Sequence, residues 1–421
     1  MSNQLDRAIY AHADAAFSFL EALVMAASTV GAEQAAMDVF ALEAEVLGLK
    51  VQRLPFANAA LKDARAGIVP QAQLLTPNRY QLLAHTSGDG ELTLLLNGHL
   101  DVVPAESQKS WASPPFKPER RNGRLYGRGS GDMKSGFAVG TLALRALQDI
   151  APDLFAKKSL GFLAAVEEEC TGNGTLSSIT DHGVKATEVV VLEPTNLGLL
   201  LGGVGVLWVE IDVASRSGHG YAAGVNSVDL GMQLIEHLRQ WTAELWRTHP
   251  DPIFPSSPNP YNLNLGKVNA GDWTSSVPSL ATFSVRVGFP RSWTPDQAEQ
   301  ALREVITSFA TKLAFAILPQ VTLTGFRAKG YFLEPDSRLA RDLGAAHRAA
   351  HGVDPVAFSI GSTTDARTYL NDFGIHAICY GAVAHDIHGI DECVELQSIV
   401  DAARTLARFI LMRFGAEDLH Q

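Results

Sequence analysis

The chain has 421 residues, which is enough for about two or three domains of ordinary size. Hydrophobic residues make up 46% and charged residues 19% of it, a composition typical of globular proteins that excludes an intrinsically disordered chain. The 45 acidic residues outnumber the 34 Lys and Arg, and the net charge of −11 argues against nucleic acid or an anionic membrane as the partner.

Two features of the sequence bear on where the protein works. The N-terminal segment MSNQLDRAIYAHADAAF carries acidic residues and lacks the apolar centre of a signal peptide, and no run approaches the ~18 apolar residues of a membrane span. We therefore expect a cytoplasmic protein. Cys170, Cys379 and Cys393 are too few and too scattered for a disulfide framework and are predicted to be buried, reduced thiols.

In chain order, the apolar pattern first predicts helices and then buried strands. Residues 5–47 are Ala-rich with apolar positions at helical spacing, which predicts two helices separated near Gly31. Continuous apolar runs follow, and such runs are typical of strands buried on both faces of a parallel sheet. The predicted strands lie at 92–103, 159–166, 188–192 and 375–380, and the helices between them at 135–150 and 337–351.

The middle of the chain has a different pattern, which predicts an inserted domain. Residues 205–215 and 280–288 alternate apolar and polar side chains, as half-exposed antiparallel strands do. Amphipathic helices are predicted at 225–245 and 294–313, with a proline-rich loop at 249–260. We therefore predict an α/β protein. A discontinuous main domain, residues 1–205 and 327–421, holds a mostly parallel sheet covered by helices, and residues 206–326 form an inserted α+β domain.

Histidine and acidic residues follow the predicted buried strands. Because the carboxyl ends of strands in an open α/β sheet form the crevice where ligands bind, these side chains are expected to converge. They are His99 and Asp101 in NGHLDVVP, Glu167, Glu168 and Glu169 in VEEECTGNG, Glu193 in LEPT, and His385 and His388 in AHDIHGIDE, with Asp132 in the Gly-rich turn GRGSGDMKSG.

Such a cluster requires a cation. Carboxylates gathered beside a buried sheet repel one another, and each desolvated charge costs several kcal/mol unless it is compensated. Mixed His and carboxylate ligands without thiolates favour Zn²⁺, Co²⁺ or Mn²⁺ over a Cys-rich structural site.

Taken together, the motifs resemble those of the M20 metallopeptidases, which include acetylornithine deacetylase, succinyl-diaminopimelate desuccinylase and carboxypeptidase G-type enzymes. The matching segments occur in the family's order between roughly residues 90 and 400. They are GHLDVVP at 98–104, GSGDMKSG at 129–136, the acidic triplet at 167–169, EPT at 193–195, SGHG around His219, GVNS at 224–227 and HGIDE at 388–392.

The resemblance implies a dinuclear metal site in a catalytic main domain. Asp132 would bridge two divalent ions, zinc before manganese or cobalt. His99 and Glu193 would complete one site, and Glu169 and His388 the other. The ligand is expected to be His388 rather than His385, because the family's histidine precedes the sequence xxDE.

Further roles follow from the same resemblance. Glu168 would be the general base, and the Asp132–Met133 peptide bond would be cis. Apart from the resemblance, Asp101 stands two residues after His99, so on a strand both side chains point to the same face, and the Asp101 carboxylate is expected to orient His99. The inserted domain would be a lid and dimerisation domain whose His219 reaches the site of the partner subunit. Substrate contacts are expected from Asn226, Thr364 and Arg367, with Arg367 gripping a substrate carboxylate and Arg286 as second choice.

The resemblance implies a homodimeric hydrolase that cleaves an amide bond of a small N-acyl amino acid or related carboxylate with metal-activated water. Two alternatives stay open. One is hydrolytic deamination of an aromatic amine carboxylate, as in nitroanthranilate aminohydrolase. Two features keep it open: the segment YGAVAHDIH departs from the family's usual Gly-Pro-Gly, and Trp208 and Trp273 lie in the inserted domain. A non-catalytic binding protein of the same family is the other, and the intact set of acidic residues disfavours it.

Overall fold

Two β-sheets organise the chain. The computed structural model describes residues 2–56, 62–69, 78–86, 91–157, 159–216, 218–220, 224–254 and 257–415. Its helices are α1 (Ser2–Met25), α2 (Gln34–Val46), α3 (Lys134–Ile150), α4 (Leu154–Lys157), α5 (Asn173–Thr180), α6 (Ser227–Thr248), α7 (Pro295–Lys312), α8 (Arg338–His351) and α9 (Leu396–Phe414).

The larger sheet has nine described strands and includes all four predicted apolar runs. Its strands are β1 (Lys50–Pro55), β2 (Tyr80–His85), β3 (Leu94–His99), β6 (Leu160–Ala165), β7 (Glu188–Val191), β8 (Leu199–Gly203), β15 (Tyr331–Phe332), β16 (Ala357–Ile360) and β17 (His376–Cys379). Their order is β1-β2-β6-β3-β7-β17-β8-β15, with β16 on β8. The central strands β6, β3, β7 and β17 pair in parallel, as predicted for continuous apolar runs. The outer pairs β1–β2, β2–β6, β17–β8 and β8–β15 are antiparallel, so the sheet as a whole is mixed.

Helices cover the larger sheet. The main apolar core lies between the sheet and α1, α2, α3, α8 and α9. Helix α1 is long and apolar enough to cross a membrane by length and composition alone. However, its residues Ile9, Leu20, Leu23 and Val24 are fully buried in this core, so the helix serves as a core element. The three cysteines are buried and unpaired, as predicted.

The second sheet lies in the middle of the chain. It has four antiparallel strands in the order β11-β13-β9-β14, namely β11 (Leu263–Ala270), β13 (Leu280–Phe289), β9 (Gly205–Ala214) and β14 (Gln320–Ala328). Helices α6 and α7 pack on one face of it over an apolar core. Helix α7 begins at a capping box, in which Thr294 and Gln297 bond each other's backbone and Pro295 takes the first turn.

Two small sheets complete the fold. One consists of β10 (Gly218–His219) and β12 (Ser276–Val277), and the other of β4 (Glu119–Arg121), β5 (Arg124–Tyr126), β18 (Ala384–His385) and β19 (Cys393–Glu395). The second of these closes one side of the crevice, because the loop between β18 and β19 carries His388.

Candidate metal centre

Two histidines face the two oxygens of one carboxylate. His99 is the last residue of β3, and its Nε2 lies 3.3 Å from Asp132 Oδ1. His388, from the loop between β18 and β19, places its Nε2 3.3 Å from Asp132 Oδ2. Asp132 is thus placed to serve two ions, one on each oxygen.

Each histidine also has a second carboxylate beside it. His388 Nε2 lies 3.0 Å from Glu169 Oε2, and His99 Nε2 lies 4.0 Å from Glu193 Oε1. Two ligand atoms that each lie about 2.0–2.1 Å from one tetrahedral ion are about 3.3 Å apart, which is close to these spacings. The five residues that the resemblance implied as ligands therefore lie close together, with His99 beside Asp132 and Glu193 and His388 beside Asp132 and Glu169. Ligand atoms of His99, Asp132 and Glu169 also lie within 4.8 Å of one another, as do those of His99, Glu168 and Glu193.

Among the residues that the structure describes, no Lys or Arg forms an ion pair with the carboxylates of this donor set. Glu169 Oε1 and His99 Nε2 are buried and, within the described part of the chain, form no hydrogen bond. Burial raises the pKa of Glu168 and Glu193 well above the usual range, and the neighbouring carboxylates raise it further. Buried, mutually repelling carboxylates with unpaired ligand atoms fit divalent cations.

Asp101 contacts its neighbours differently from the prediction. The main-chain oxygen of Asp101, rather than its carboxylate, bonds His99 Nδ1 at 2.9 Å, while its Oδ1 stands 3.7 Å away. The carboxylate instead accepts the backbone N–H groups of Glu168 and Glu169, at 3.2 and 3.0 Å. Because β3 ends at His99, Asp101 lies outside the strand, and the expected alternation of side chains does not extend to it. The residue therefore orients His99 with its backbone and Glu168 and Glu169 with its side chain.

A buried ion pair that the sequence analysis missed holds the turn of Asp132. Glu392 Oε1 accepts the backbone N–H groups of Gly131 and Asp132, at 2.9 and 3.0 Å, and Arg128 Nη1 bonds the other oxygen of Glu392 at 2.5 Å. The Asp132–Met133 peptide bond is cis, as expected. Arg128 and Glu392 stand in the same motifs as Asp132 and His388, and that proximity in sequence was the available signal.

A second buried ion pair lies behind Glu168 and Glu169. Glu167 has a positive φ of 62°, and its carboxylate accepts from Arg79 Nη1 at 2.5 Å and from the Thr171 hydroxyl at 2.9 Å. Arg79 also pairs with Glu33 at 2.7 Å, and all three charged side chains are nearly inaccessible to solvent. Arg79 thus fixes the turn from which Glu168 and Glu169 project.

We expect replacement of Arg79 by methionine to lower the free energy of unfolding by about 3–5 kcal/mol, because Glu33 and Glu167 would remain buried without a counter-charge. Urea unfolding measures the effect. Arg53→Met is the matched control, since Arg53 pairs with Asp38 at the surface and such pairs contribute about 0–1 kcal/mol. Equal losses for the two variants would show that the buried pair does not anchor this turn.

A cavity of about 500 Å³ opens between the two sheets at this centre. Asp132, Glu168, Glu169, Glu193 and His388 line one end of it, and the residues that line the remainder include Asn264, Arg286, Trp208, Phe326, Phe358 and Thr364. Thr364 therefore reaches the cavity as predicted, and its Oγ1 lies 2.7 Å from the Tyr331 hydroxyl.

Arg367 does not line this cavity, contrary to the role predicted for it. Its guanidinium donates to the carbonyl oxygens of Thr364 and Thr171, at 3.1 and 2.9 Å, and packs on the ring of Phe326. Arg286, the second choice, does line the cavity, and it bonds Asn262 Oδ1 at 2.9 Å and the Gly361 carbonyl. Burial lowers the pKa of Arg286 to about 10, so the side chain stays cationic at neutral pH.

The two remaining predicted residues lie outside the cavity. His219 is an exposed residue of β10. Asn226 caps α6, where its Oδ1 accepts the backbone N–H of Val228 at 2.9 Å.

Comparison with known proteins gives consistent matches. A sequence model of peptidase family M20/M25/M40 matches residues 95–412. A succinyl-diaminopimelate desuccinylase of Methylobacterium radiotolerans is 28% identical over 398 residues, which cover 92% of this chain and 93% of that protein. The di-peptidase Dug1p of Saccharomyces cerevisiae shares the fold with a TM-score of 0.78 at 14% identity, covering 98% of both chains. The YXEP protein of Bacillus subtilis, a dinuclear metal binding peptidase, superposes with a TM-score of 0.58 at 13% identity, covering 96% of this chain and 98% of that one.

Proposed function

Since this chain belongs to peptidase family M20/M25/M40 and is a hydrolase of carbon–nitrogen amide bonds, we propose that it cleaves small N-acyl amino acids or related carboxylates at a dinuclear metal site. The observation that carries the proposal is the shared position of Asp132, with His99 beside one oxygen and His388 beside the other, while Glu193 lies beside His99 and Glu169 beside His388. Zinc suits this donor set, and manganese or cobalt are alternatives. When bound, such a pair polarises a carbonyl and lowers the pKa of water.

Glu168 is the proposed general base. It lines the cavity beside the ligands, with Oε2 3.8 Å from His99 Nε2, and its backbone N–H is held by the Asp101 carboxylate. From this position it would take the proton of the attacking water and deliver it to the leaving nitrogen. The hydrogen bond from the Glu168 backbone to Asp101 holds residue 168 in place for both proton transfers.

Arg286 is the proposed site for the substrate carboxylate. Among the described residues it has no carboxylate within ion-pair distance, although it is a half-buried cation in the wall of the cavity. A guanidinium can bind a carboxylate through two parallel hydrogen bonds. The substrate would therefore lie with its carboxylate on the second sheet and its scissile bond at the metal centre.

Arg286→Met is expected to raise KM for an N-acyl amino acid about 10–100-fold, because a hydrogen bond to a charged group contributes about 1.5–3 kcal/mol. Steady-state kinetics measure this change, and kcat should change much less. Arg367→Lys is the matched control, since the Arg367 guanidinium donates to two backbone oxygens and Arg367 does not line the cavity. A large KM increase in the Arg367 variant and none in the Arg286 variant would restore the assignment made from sequence.

Residues 206–326 are proposed to form a lid and dimerisation domain inserted into a catalytic domain of residues 1–205 and 327–421. The position of His219 supports this, because an exposed histidine outside its own cavity is suited to act in the site of a second copy of the chain, stabilising the developing oxyanion there. Asn226, at the start of α6, is proposed to accompany it. The enzyme is proposed to be cytoplasmic and to act on a small molecule, and its net charge of −11 argues against a polyanionic partner.

Deamination of an aromatic amine carboxylate is the second candidate, and the observation that favours it is the position of Trp208 in the cavity wall. Incubation of the metal-loaded protein with N-acetylornithine, N-acetyl-L-phenylalanine and 5-nitroanthranilate distinguishes the two reactions by their products. Acetate release supports the proposed amidase. Release of ammonia from 5-nitroanthranilate, without acetate release from either amide, would refute the amidase and support the second candidate. Turnover of none of the three compounds would support a non-catalytic binding protein.

A further inference from the structure

Three cavity residues lie in one row across the second sheet. Asn264 pairs with Arg286 between β11 and β13, and Arg286 pairs with Trp208 between β13 and β9. Side chains of directly paired residues project from the same face of a sheet. The neighbouring residues Val209 and Val285 point to the opposite face, where α6 and α7 pack. The row Asn264–Arg286–Trp208 therefore faces the metal centre.

The cavity wall next to Arg286 is aromatic. The rings of Trp208 and Phe326 meet edge to face with centroids 5.3 Å apart, and Phe358 and Ile360 line the same cavity. Trp208 Nε1 is buried and has no hydrogen-bond partner among the residues that the structure describes. A substrate that is polar throughout would leave this wall without a matching group, whereas a ring would cover it.

The spacing of Arg286 and Trp208 limits where that ring can sit on the substrate. Directly opposed residues of an antiparallel pair have Cβ atoms about 4.5–5.5 Å apart. Because Arg286 and Trp208 are paired across β13 and β9 and line the same cavity, a ligand that contacts both must carry a carboxylate and a ring within the reach of these two side chains. An aromatic amino acid meets this condition, because only its Cα and Cβ atoms separate the carboxylate from the ring.

We infer that Trp208, with Phe326 and Phe358, forms a ring-binding subsite that selects substrates whose amino acid carries an aromatic or bulky apolar side chain. The inference rests on the proposed hydrolysis of N-acyl amino acids and names their class. Trp208 is a specificity-determining residue that touches the side chain of the substrate, while Arg286 holds the carboxylate beside it.

The test compares N-acetyl-L-phenylalanine with N-acetyl-L-alanine. The wild-type enzyme is expected to favour the phenylalanine substrate by at least about tenfold in kcat/KM, since even one methylene in an apolar pocket contributes about 10–200-fold. Trp208→Leu should remove most of that preference by lowering kcat/KM for the phenylalanine substrate much more than for the alanine substrate, while Trp208→Phe should keep most of it. Trp273→Leu is the matched control, because Trp273 is 72% exposed and does not line the cavity.

Two results overturn the inference. One is a wild-type preference for the alanine substrate. The other is an equal loss of kcat/KM on both substrates in Trp208→Leu and in a second cavity-wall variant, Phe326→Leu, when both variants unfold at the wild-type midpoint. Calorimetric titration of N-acetyl-L-phenylalanine into Glu168→Gln and into the double variant with Trp208→Leu separates this inference from the proposed reaction. Ring-dependent binding without any turnover by the wild type would refute the amidase and retain the subsite, whereas turnover without ring-dependent binding would refute the subsite alone.

Discussion

Replacement of Glu168 by glutamine is expected to lower kcat about 10²–10⁴-fold, the usual contribution of a positioned general acid–base group. Glutamine has nearly the same shape but cannot take up a proton from water. The backbone N–H of residue 168 would still donate to Asp101, and the five predicted ligands would be unchanged. The variant should therefore keep two metal ions per chain, which separates a loss of proton transfer from a loss of the site.

Glu395→Gln is a suitable control for this experiment. Glu395 bonds His385 and Arg124 and does not line the cavity, so kcat should stay within about twofold of wild type for a surface change of this kind. Wild-type turnover by Glu168→Gln, measured with the same metal content, would exclude Glu168 as the base and with it the proposed mechanism.

Replacement of His388 by alanine should reduce the metal content from two ions to one per chain. His388 Nε2 lies within 3.3 Å of both Asp132 and Glu169, so its removal takes away a predicted ligand of one ion and leaves the ligands near His99 in place. We expect activity to fall by at least about 100-fold, since loss of groups that merely support metal ligands already costs about 10–100-fold. Elemental analysis after gel filtration gives the stoichiometry.

His385 provides the matched variant, because it stands three residues before His388, at the end of β18. Its Nε2 bonds Glu395 at 2.8 Å and does not contact Asp132 or Glu169 at ion-pair distance. His385→Ala should keep both ions and most of the activity. If His385→Ala lost the ion and His388→Ala kept it, the assignment of the ligand would be reversed.

The centre of the fold was predictable from local sequence because burial on both faces imposes a continuous apolar run. The strands β3, β6, β7 and β17 fall within the four predicted runs, and each ligand that follows one of them lies at the carboxyl end of the sheet. The outer strands were not predicted. The apolar and polar residues of β1 are too mixed for this strand to be distinguished from a loop, because it is largely exposed. Strand β15 is too short, with two residues.

The substrate side of the site depended on contacts that sequence does not display. Arg367 follows a family-like motif, yet its guanidinium is taken up by the carbonyl oxygens of Thr171 and Thr364. Arg286 reaches the cavity because β13 pairs with β9 and β11, and that register is set by residues 20 to 80 positions away. The role of Arg79 was invisible for the same reason, since it bonds Glu33 and Glu167, which are distant in the chain.

The most direct test of a dinuclear site is a titration of the chelator-treated wild-type protein with zinc, followed by elemental analysis and by amide hydrolysis. We predict that two ions bind per chain, that activity is lost on chelation, and that full activity returns only as the second equivalent binds. Fewer than one bound ion per chain at saturation, or amide hydrolysis unchanged by chelation, would contradict the account.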